Sequence, residues 1–130
     1  MNKPTKESNI QNAIRLAASE SKCTLFRVNV GSGWTGNGIK KHVNGDITIK
    51  SARPFSTGVP KGYSDLSGYK TITITQDMVG KQIAQAVFLE VKTETGKIRP
   101  EQVNFIEQAQ KKGAIAGVVR SVEDFRELVK

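Results

Sequence analysis

Two segments carry apolar residues at steps of three and four, the spacing of an amphipathic helix. One runs from Lys6 to about Glu20, and its apolar stripe is formed by Ile10, Ala13, Ile14 and Ala17. The other begins at Pro100, which suits the first position of a helix, and runs to Lys112. Gly113 then follows, a residue that takes the left-handed conformation common at helix ends. The pattern predicts a helix in each segment.

Short apolar runs predict two strands and a last helix. Residues 25–30 and 115–119 are apolar over a length that suits a strand. After the second run, Ser121 is placed to cap a helix whose first turn holds Glu123 and Asp124, which face the positive end of the helix dipole. The apolar residues of this last helix are Val122, Phe125, Leu128 and Val129.

The middle of the chain predicts a strand pair after a long loop. Residues 71–75 alternate Thr and Ile with period two, and residues 82–92 are an apolar run with enough Val, Ile and Phe for a central strand. Together they predict an antiparallel pair. Residues 31–62, by contrast, are rich in Gly, Lys, Ser and Pro with little periodicity. They predict a long loop that holds a short ribbon around Ile47 to Ile49.

The order of these elements, α-β-loop-β-β-α-β-α, predicts an α/β fold. A chain of 130 residues has the length of one domain, so we expect residues 1–130 to form a single one. Its 37% hydrophobic and 25% charged residues are typical of a packed globular protein. The polar residues at the start show no export signal, and no run approaches the roughly 18 apolar residues of a membrane span. We therefore expect no membrane association.

The net charge of +8 is concentrated in the first half of the chain. Residues 1–65 carry 10 basic and 4 acidic side chains, whereas residues 66–130 carry 10 and 8. A basic field attracts polyanions because it releases their counterions, so nucleic acid is the leading class of partner. A lone Cys23 forms no intramolecular disulfide, and one Cys with one His builds no zinc cage. A reducing cytoplasm fits this composition.

A carboxylate and an ammonium group share one face of the predicted strand that ends at Lys92. Strand alternation puts Phe88, Glu90 and Lys92 on that face and the apolar residues between them on the other. One interpretation is a surface ion pair, which is common and energetically small. A catalytic interpretation is favoured by Asp65, a second carboxylate at the start of the first strand of the same predicted sheet. If these strands pair, Asp65 and Glu90 converge.

Two converging carboxylates suit a divalent cation. Mg²⁺ takes oxygen ligands and keeps several waters, so one or two carboxylates with a substrate phosphate make a sufficient site. We expect Asp65, Glu90 and the backbone carbonyl of Val91 to bind Mg²⁺ or Mn²⁺, which would polarise a scissile phosphate and acidify a water. Lys92 would orient that water and offset the negative charge of the transition state. The alternative for Asp65 is a turn residue after Gly62.

Two further polar residues lie on apolar helix stripes. Gln102 shares a stripe with Phe105, Ile106 and Ala109, so its amide is expected to face the sheet and to need partners there. Those partners are either a phosphate or metal-bound water, or a backbone carbonyl. Glu7 continues the stripe of the first helix, where it either reaches the metal region through a water or is an exposed acidic residue of the first turn.

The predicted loop carries a set of residues suited to DNA. They contact the phosphate backbone or stack on an unpaired base, or they belong to a plain solvated loop. The set is Trp34, Lys40, Lys41, His42, Arg53 and Lys61. The segment Gly31–Gly36 also matches a dinucleotide-binding fingerprint, but the residues after it do not resemble the helix that must hold the pyrophosphate. We therefore expect no nucleotide cofactor.

Six segments, taken in order, resemble the virus-type replication-repair nuclease (VRR-NUC) domain of the PD-(D/E)xK nuclease superfamily. They are Glu7–Gln11, Phe26–Asn29, Gly62–Leu66, Phe88–Lys92, Gly96–Gln102 and Ser121–Asp124. The likeness covers nearly the whole chain. One position departs from the superfamily pattern, because Ser64 stands where the name places a proline before the aspartate.

The resemblance implies a mixed central sheet flanked by helices and a metal-dependent endonuclease. It matches Asp65, Glu90 and Lys92 to the catalytic core, Glu7 to the acidic residue of the first helix and Gln102 to the family's glutamine. Stand-alone members of this size resemble phage or prophage proteins that form homodimers and cut branched DNA such as four-way (Holliday) junctions with Mg²⁺ or Mn²⁺. A branched DNA substrate, a homodimer and the cytoplasm of a bacterial host are therefore expected.

Two other functions stay open at this point. The first is a non-catalytic DNA-binding module, in which the basic loop binds phosphates and the acidic residues are structural. The second is a restriction-like endonuclease that cuts plain duplex at a preferred sequence. Paired carboxylates would repel phosphates unless a cation lay between them, which favours the nuclease over the first alternative.

Overall fold

The computed structural model describes residues 6–130 and has a mixed α/β architecture. Its three helices are α1 (Glu7–Ala17), α2 (Pro100–Lys111) and α3 (Val122–Leu128). Its strands are β1 (Cys23–Arg27), β2 (Ser32–Thr35), β3 (Gly38–Lys41), β4 (Ile47–Lys50), β5 (Arg53–Ser56), β6 (Leu66–Lys70), β7 (Val87–Val91) and β8 (Ile115–Val119). Residues 1–5, the first part of the polar start, lie outside the described residues.

The described chain forms two compact units. The first unit consists of residues 6–11 and 25–67, and the second of residues 12–24 and 68–130. The strands form two-stranded sheets, which pair β1 with β6, β2 with β5, β3 with β4 and β7 with β8. The expectation of a single domain over residues 1–130 stays a prediction.

In the first unit, residues 31–57 form a two-stranded antiparallel ribbon, which we call the arm. Its base is closed by the Thr57 N–H, which donates to the Gly31 carbonyl over 3.0 Å. β2 pairs with β5 and β3 with β4, and between these pairs the Asn37 N–H donates to the Lys50 carbonyl over 2.9 Å. The turn at the tip contains Gly45 with φ 95°, a value that suits glycine.

The prediction of a long loop with only a short ribbon around residues 47–49 was therefore wrong. Four strands occupy most of residues 31–57. The polar and basic composition hid them, because each of the four strands is only four residues long and mixes Gly, Lys, Ser or Pro with its apolar residues. The Asn44-Gly45 pair is a hairpin signal, and it marks the turn that the composition concealed.

The second unit contains a strand-helix-strand element built from β7, α2 and β8. Parallel strands need a long crossover, and the 12-residue α2 provides it before β8 returns beside β7 in parallel register. α2 packs on both strands, and α3 packs on β8, where Leu128 lies against Gly117. The buried apolar residues of the described chain all belong to this unit and are Ala18, Ala109, Ala116 and Val119.

Two predicted strands are corrected by the structure. Residues 71–75 are not a strand, although the Thr71 N–H still donates to the Lys22 carbonyl over 3.0 Å. β1 begins at Cys23, because the residues before it, Ala18–Ser21, form a 3₁₀ turn. Residues 72–75 therefore have no further residues of β1 with which to pair. The predicted strand over residues 82–92 shrinks to β7, whose partner β8 is five residues long. The predicted antiparallel pair is wrong as well, because β7 pairs in parallel with β8.

The helix ends follow the sequence closely. α2 begins at Pro100, and Gly113, with φ 96°, lies just beyond its end. Ser121 caps α3 as predicted, because its Oγ accepts from the Asp124 N–H over 3.0 Å. α1 ends at Ala17 and continues as the 3₁₀ turn, so the predicted end near Glu20 is correct only for the combined element. Among the described residues, no helix has the length and apolar character needed to cross a membrane.

Candidate functional site

Glu90 and Lys92 form an ion pair on one face of β7. The Lys92 Nζ lies 3.3 Å from the Glu90 Oε1, and the two side chains are 19% and 31% exposed, respectively. The predicted sharing of a face is therefore confirmed. A pair this far withdrawn from water is held more firmly than an exposed one, because solvent screens it less. The carboxylate remains open enough to meet a ligand.

Gln102 connects this pair to the first turn of α2. Its Nε2 donates to the Glu90 Oε1 over 2.7 Å, and its Oε1 accepts from the Arg99 N–H over 2.9 Å. The prediction that this amide faces the sheet is confirmed, but its partner is the Glu90 carboxylate and not the backbone carbonyl that was one of the two predicted partners. Because both ends of the amide are bonded, Gln102 fixes its own orientation and that of Glu90. It is a positioning residue for the carboxylate.

Aromatic packing holds β7 and α2 together beside this pair. The ring of Phe88 meets the ring of Phe105 edge to face, with centroids 5.3 Å apart, and meets the ring of Tyr69 at 5.6 Å. A cavity of about 360 Å³ opens between β7 and α2. It is lined by Val87, Phe88, Leu89, Glu90, Glu101, Gln102, Phe105 and Ile106. The carboxylate therefore faces a partly apolar recess.

The oxygen atoms near Glu90 suit a hard cation. Among the contacts of residues 6–130, Lys92 and Gln102 both approach Oε1 of Glu90, which leaves Oε2 for a further ligand. In the parallel pair, the Ala86 carbonyl accepts from Ile115 and the Lys92 N–H donates to Val119. Since the residues that bond to one neighbour alternate along a parallel strand, the Val91 carbonyl points away from β8. Carboxylate and carbonyl oxygens are the ligands that Mg²⁺ takes.

Arg120 anchors the loop that follows Lys92, a role that no sequence pattern predicted. Its Nη1 donates to the carbonyl of Thr93 and, over 3.2 Å, to that of Glu94. Its own N–H donates to the Asp124 Oδ2 over 2.8 Å, which ties it to the start of α3. A single arginine at the end of an apolar strand carries no pattern that would reveal these contacts.

Asp65 and Glu7 belong to the first unit, whereas Glu90 belongs to the second. Asp65 precedes β6, is exposed, and its carbonyl accepts from the Val28 N–H over 2.9 Å. Glu7 is the exposed first residue of α1. The convergence of Asp65 with Glu90, and the approach of Glu7 to a metal, stay predictions.

The residues predicted to contact DNA lie in the first unit and are exposed. Five of them belong to the arm, which are Trp34, Lys40, Lys41, His42 and Arg53, and Lys61 follows it. The glycine-rich segment that matches the dinucleotide fingerprint also lies in the arm, at β2 and the residues beside it. It is therefore part of an antiparallel ribbon and does not begin a helix.

Comparisons with family models, curated proteins and solved structures find no match for this chain. Among residues 6–130, no group of three His, Cys, Asp or Glu side chains is arranged to hold a metal ion. The predicted site has two carboxylate side chains and a backbone carbonyl, so it does not require three such side chains. The chemistry of the second unit's part of this site therefore depends on Glu90 and its neighbours.

Proposed function

We propose that this chain is a metal-dependent DNA endonuclease of the PD-(D/E)xK type, similar to the VRR-NUC domain. The observation that carries the proposal is the carboxylate of Glu90, held by Lys92 and Gln102 on one face of β7. A carboxylate, an amine and an amide in contact form a small set of groups suited to phosphodiester hydrolysis. The mixed α/β architecture agrees with the α/β class of that fold, while its strands form two-stranded sheets, so a mixed central sheet stays part of the proposal.

Glu90, the Val91 carbonyl and Asp65 would hold Mg²⁺ or Mn²⁺. The bound cation would supply Lewis-acid polarisation of the scissile phosphate and acidify a water molecule. Lys92 places a positive charge beside Glu90, where it offsets the negative charge that grows on the phosphate as the bond breaks. Gln102 keeps the Glu90 carboxylate in one orientation, so that the carboxylate loses little entropy when it binds.

Branched DNA is the substrate that we propose, with two copies of the chain acting together in the cytoplasm of a bacterial host. Symmetric cutting of a four-way junction needs two equivalent sites, which a two-fold dimer provides. The net charge of +8 supports a nucleic-acid substrate. The resemblance of six ordered segments to the VRR-NUC domain supports the choice of branched DNA.

A second candidate is a DNA-binding module without catalysis. The contacts of Glu90 favour it, because Glu90 forms an ion pair with Lys92 and accepts a hydrogen bond from the Gln102 amide on one carboxylate oxygen. Such contacts are also found where a carboxylate has only a structural role. In this case the basic arm would bind phosphates and no metal would cause cleavage. A restriction-like enzyme, which would cut plain duplex in preference to branches, is a variant of the first proposal.

A cleavage panel tests the proposal. The purified chain is incubated with a labelled four-way junction, a flap and a linear duplex, each with Mg²⁺, Mn²⁺ or EDTA. We expect cutting of the junction with either metal, none with EDTA, and loss of cutting in Glu90→Gln but not in the control Glu94→Gln. Salt-sensitive binding without cleavage under any metal would support the DNA-binding module, and cleavage in EDTA would contradict the proposed site.

A further inference from the structure

The two faces of the distal arm, formed by β3, β4 and the tip, differ in chemistry. Directly opposed residues share a face in an antiparallel pair, and successive pairs alternate. Lys40 opposite Thr48 and Gly38 opposite Lys50 therefore lie on one face, which we call the lysine face. His42 lies there too, because its Nε2 is 2.7 Å from the Thr48 Oγ1.

The opposite side, which we call the isoleucine face, carries Ile39 opposite Ile49 and Lys41 opposite Ile47. Ile39 is 66% exposed and Ile47 is 55% exposed. The two neighbouring lysines, Lys40 and Lys41, therefore lie on opposite faces of one ribbon. The net charge of the arm does not show that these two lysines lie on different faces.

We infer that the arm binds a groove of duplex DNA with its lysine face toward the phosphates. The inference rests on the proposed function and names the element and the face that hold its substrate. A two-stranded ribbon is one of the two elements that the major groove, about 12 Å wide, admits. The two strands of the ribbon are about 4.8 Å apart, so the width of the major groove leaves room for the side chains beside them.

Charge complementarity selects DNA as the occupant. The arm carries four basic residues and one acidic residue, so its formal charge is +3. The single carboxylate, Asp46, lies at the tip, where its Oδ2 accepts from the Asn44 Nδ2 over 2.9 Å. Lys40 and Lys50 are diagonal neighbours on the lysine face, about 7–8 Å apart at the backbone, so both amines can reach phosphates of one strand. Neither lysine forms an ion pair among the described residues.

The test compares single lysine substitutions that remove the same charge from opposite faces. Binding of the full chain to a labelled duplex is measured by fluorescence anisotropy in EDTA over a series of KCl concentrations. We expect Lys40→Gln and Lys50→Gln each to weaken binding by about three- to tenfold and to lower the salt slope by about one. Lys41 was predicted from the sequence to contact DNA, but it lies on the isoleucine face, so we expect Lys41→Gln to lose less affinity than either of these variants. The control is Lys81→Gln, which removes an exposed lysine outside the arm and should change the affinity by less than about twofold and leave the slope unchanged.

Two results would overturn the inference. Equal losses in all three variants would mean that affinity comes from the diffuse basic field and not from one face. Unchanged DNA affinity in Lys40→Gln and Lys50→Gln, combined with conversion of a dimer to a monomer by Ile39→Lys in light scattering, would make the arm a contact between two copies.

The inference and the proposed function fail separately. Face-selective binding is measured in EDTA, so it does not depend on cleavage. If the chain binds duplex through the lysine face but never cuts DNA, the proposed nuclease function is contradicted and the inference about the arm stands. If the chain cuts junctions with metal but all three lysine variants lose the same duplex affinity, the inference about the arm is contradicted and the proposed nuclease function stands.

Discussion

Gln102 donates from its Nε2 to the Glu90 Oε1 over 2.7 Å and accepts from the Arg99 N–H through its own carbonyl oxygen. The amide thus transmits the position of the helix start to the carboxylate of the neighbouring strand. We expect Gln102→Ala to lower junction cleavage by about ten- to a hundredfold and to raise the Mn²⁺ concentration needed for half-maximal rate. Single-turnover rates over a Mn²⁺ series measure both quantities.

The matched control for this prediction is Gln108→Ala, which truncates an exposed glutamine on the same helix. It should leave the cleavage rate and the Mn²⁺ dependence unchanged. If Gln102→Ala lowered thermal stability but kept the wild-type Mn²⁺ dependence, Gln102 would be only a cap for α2, whose loss typically costs about 1 kcal/mol.

Lys92 is the amine closest to the Glu90 carboxylate in the described structure, with 3.3 Å between Nζ and Oε1. Lys92→Met keeps the length of the side chain and removes its charge. We expect cleavage to fall by about a hundred- to a thousandfold because the charge that grows on the phosphate loses its partner, while duplex binding in EDTA weakens only slightly. Lys111→Met, at an exposed position of α2, is the control. Wild-type cleavage by Lys92→Met would remove the amine from the mechanism.

Arg120 ties the loop after Lys92 through the carbonyls of Thr93 and Glu94. Arg120→Ala should lower the free energy of unfolding by about 1 kcal/mol and speed amide exchange in residues 93–96, because the loop loses its anchor. Urea unfolding and hydrogen exchange measure these effects. Arg126→Ala, an exposed arginine on α3, should change neither. Equal exchange in the two variants would show that the loop is held by other groups.

Two glycines of the arm give opposite predictions for the same substitution. A Cβ at Gly36 would overlap the Lys50 carbonyl oxygen and Ile49 Cγ2, whereas a Cβ at Gly38 meets nothing within 4 Å. Gly36→Ala must therefore push the strands apart, and we expect it to weaken duplex binding. Gly38→Ala should bind as wild type. Anisotropy titrations in EDTA compare them, and equal affinities would mean that the paired arm is not needed for binding.

The sequence predicted local features well because their causes are local. Pro100 and Gly113 mark the limits of α2, and Ser121 caps α3. The stripe containing Gln102 correctly indicated an amide turned toward the sheet, since helix geometry fixes which residues share a face. The same holds for the shared face of Glu90 and Lys92, which strand alternation determines.

Strand pairing was harder to predict because a strand needs a partner that the local pattern does not specify. The period-two segment at residues 71–75 is a good strand by composition, yet it is not one in the structure. The arm shows the opposite error, since its polar strands pair over most of residues 31–57. The register of β3 and β4 had to be known before the lysines could be assigned to a face.

The central claim is that Asp65 and Glu90 share one divalent cation, and a double-mutant cycle tests it most directly. Single-turnover junction cleavage with Mn²⁺ is measured for the wild type, Asp65→Asn, Glu90→Gln and the double variant. Residues that act as a unit are strongly non-additive, so each single variant should lose about a thousandfold or more, and the double variant should cut no more slowly than the slower single one. Wild-type cleavage by Asp65→Asn, or losses that multiply in the double variant, would contradict the account.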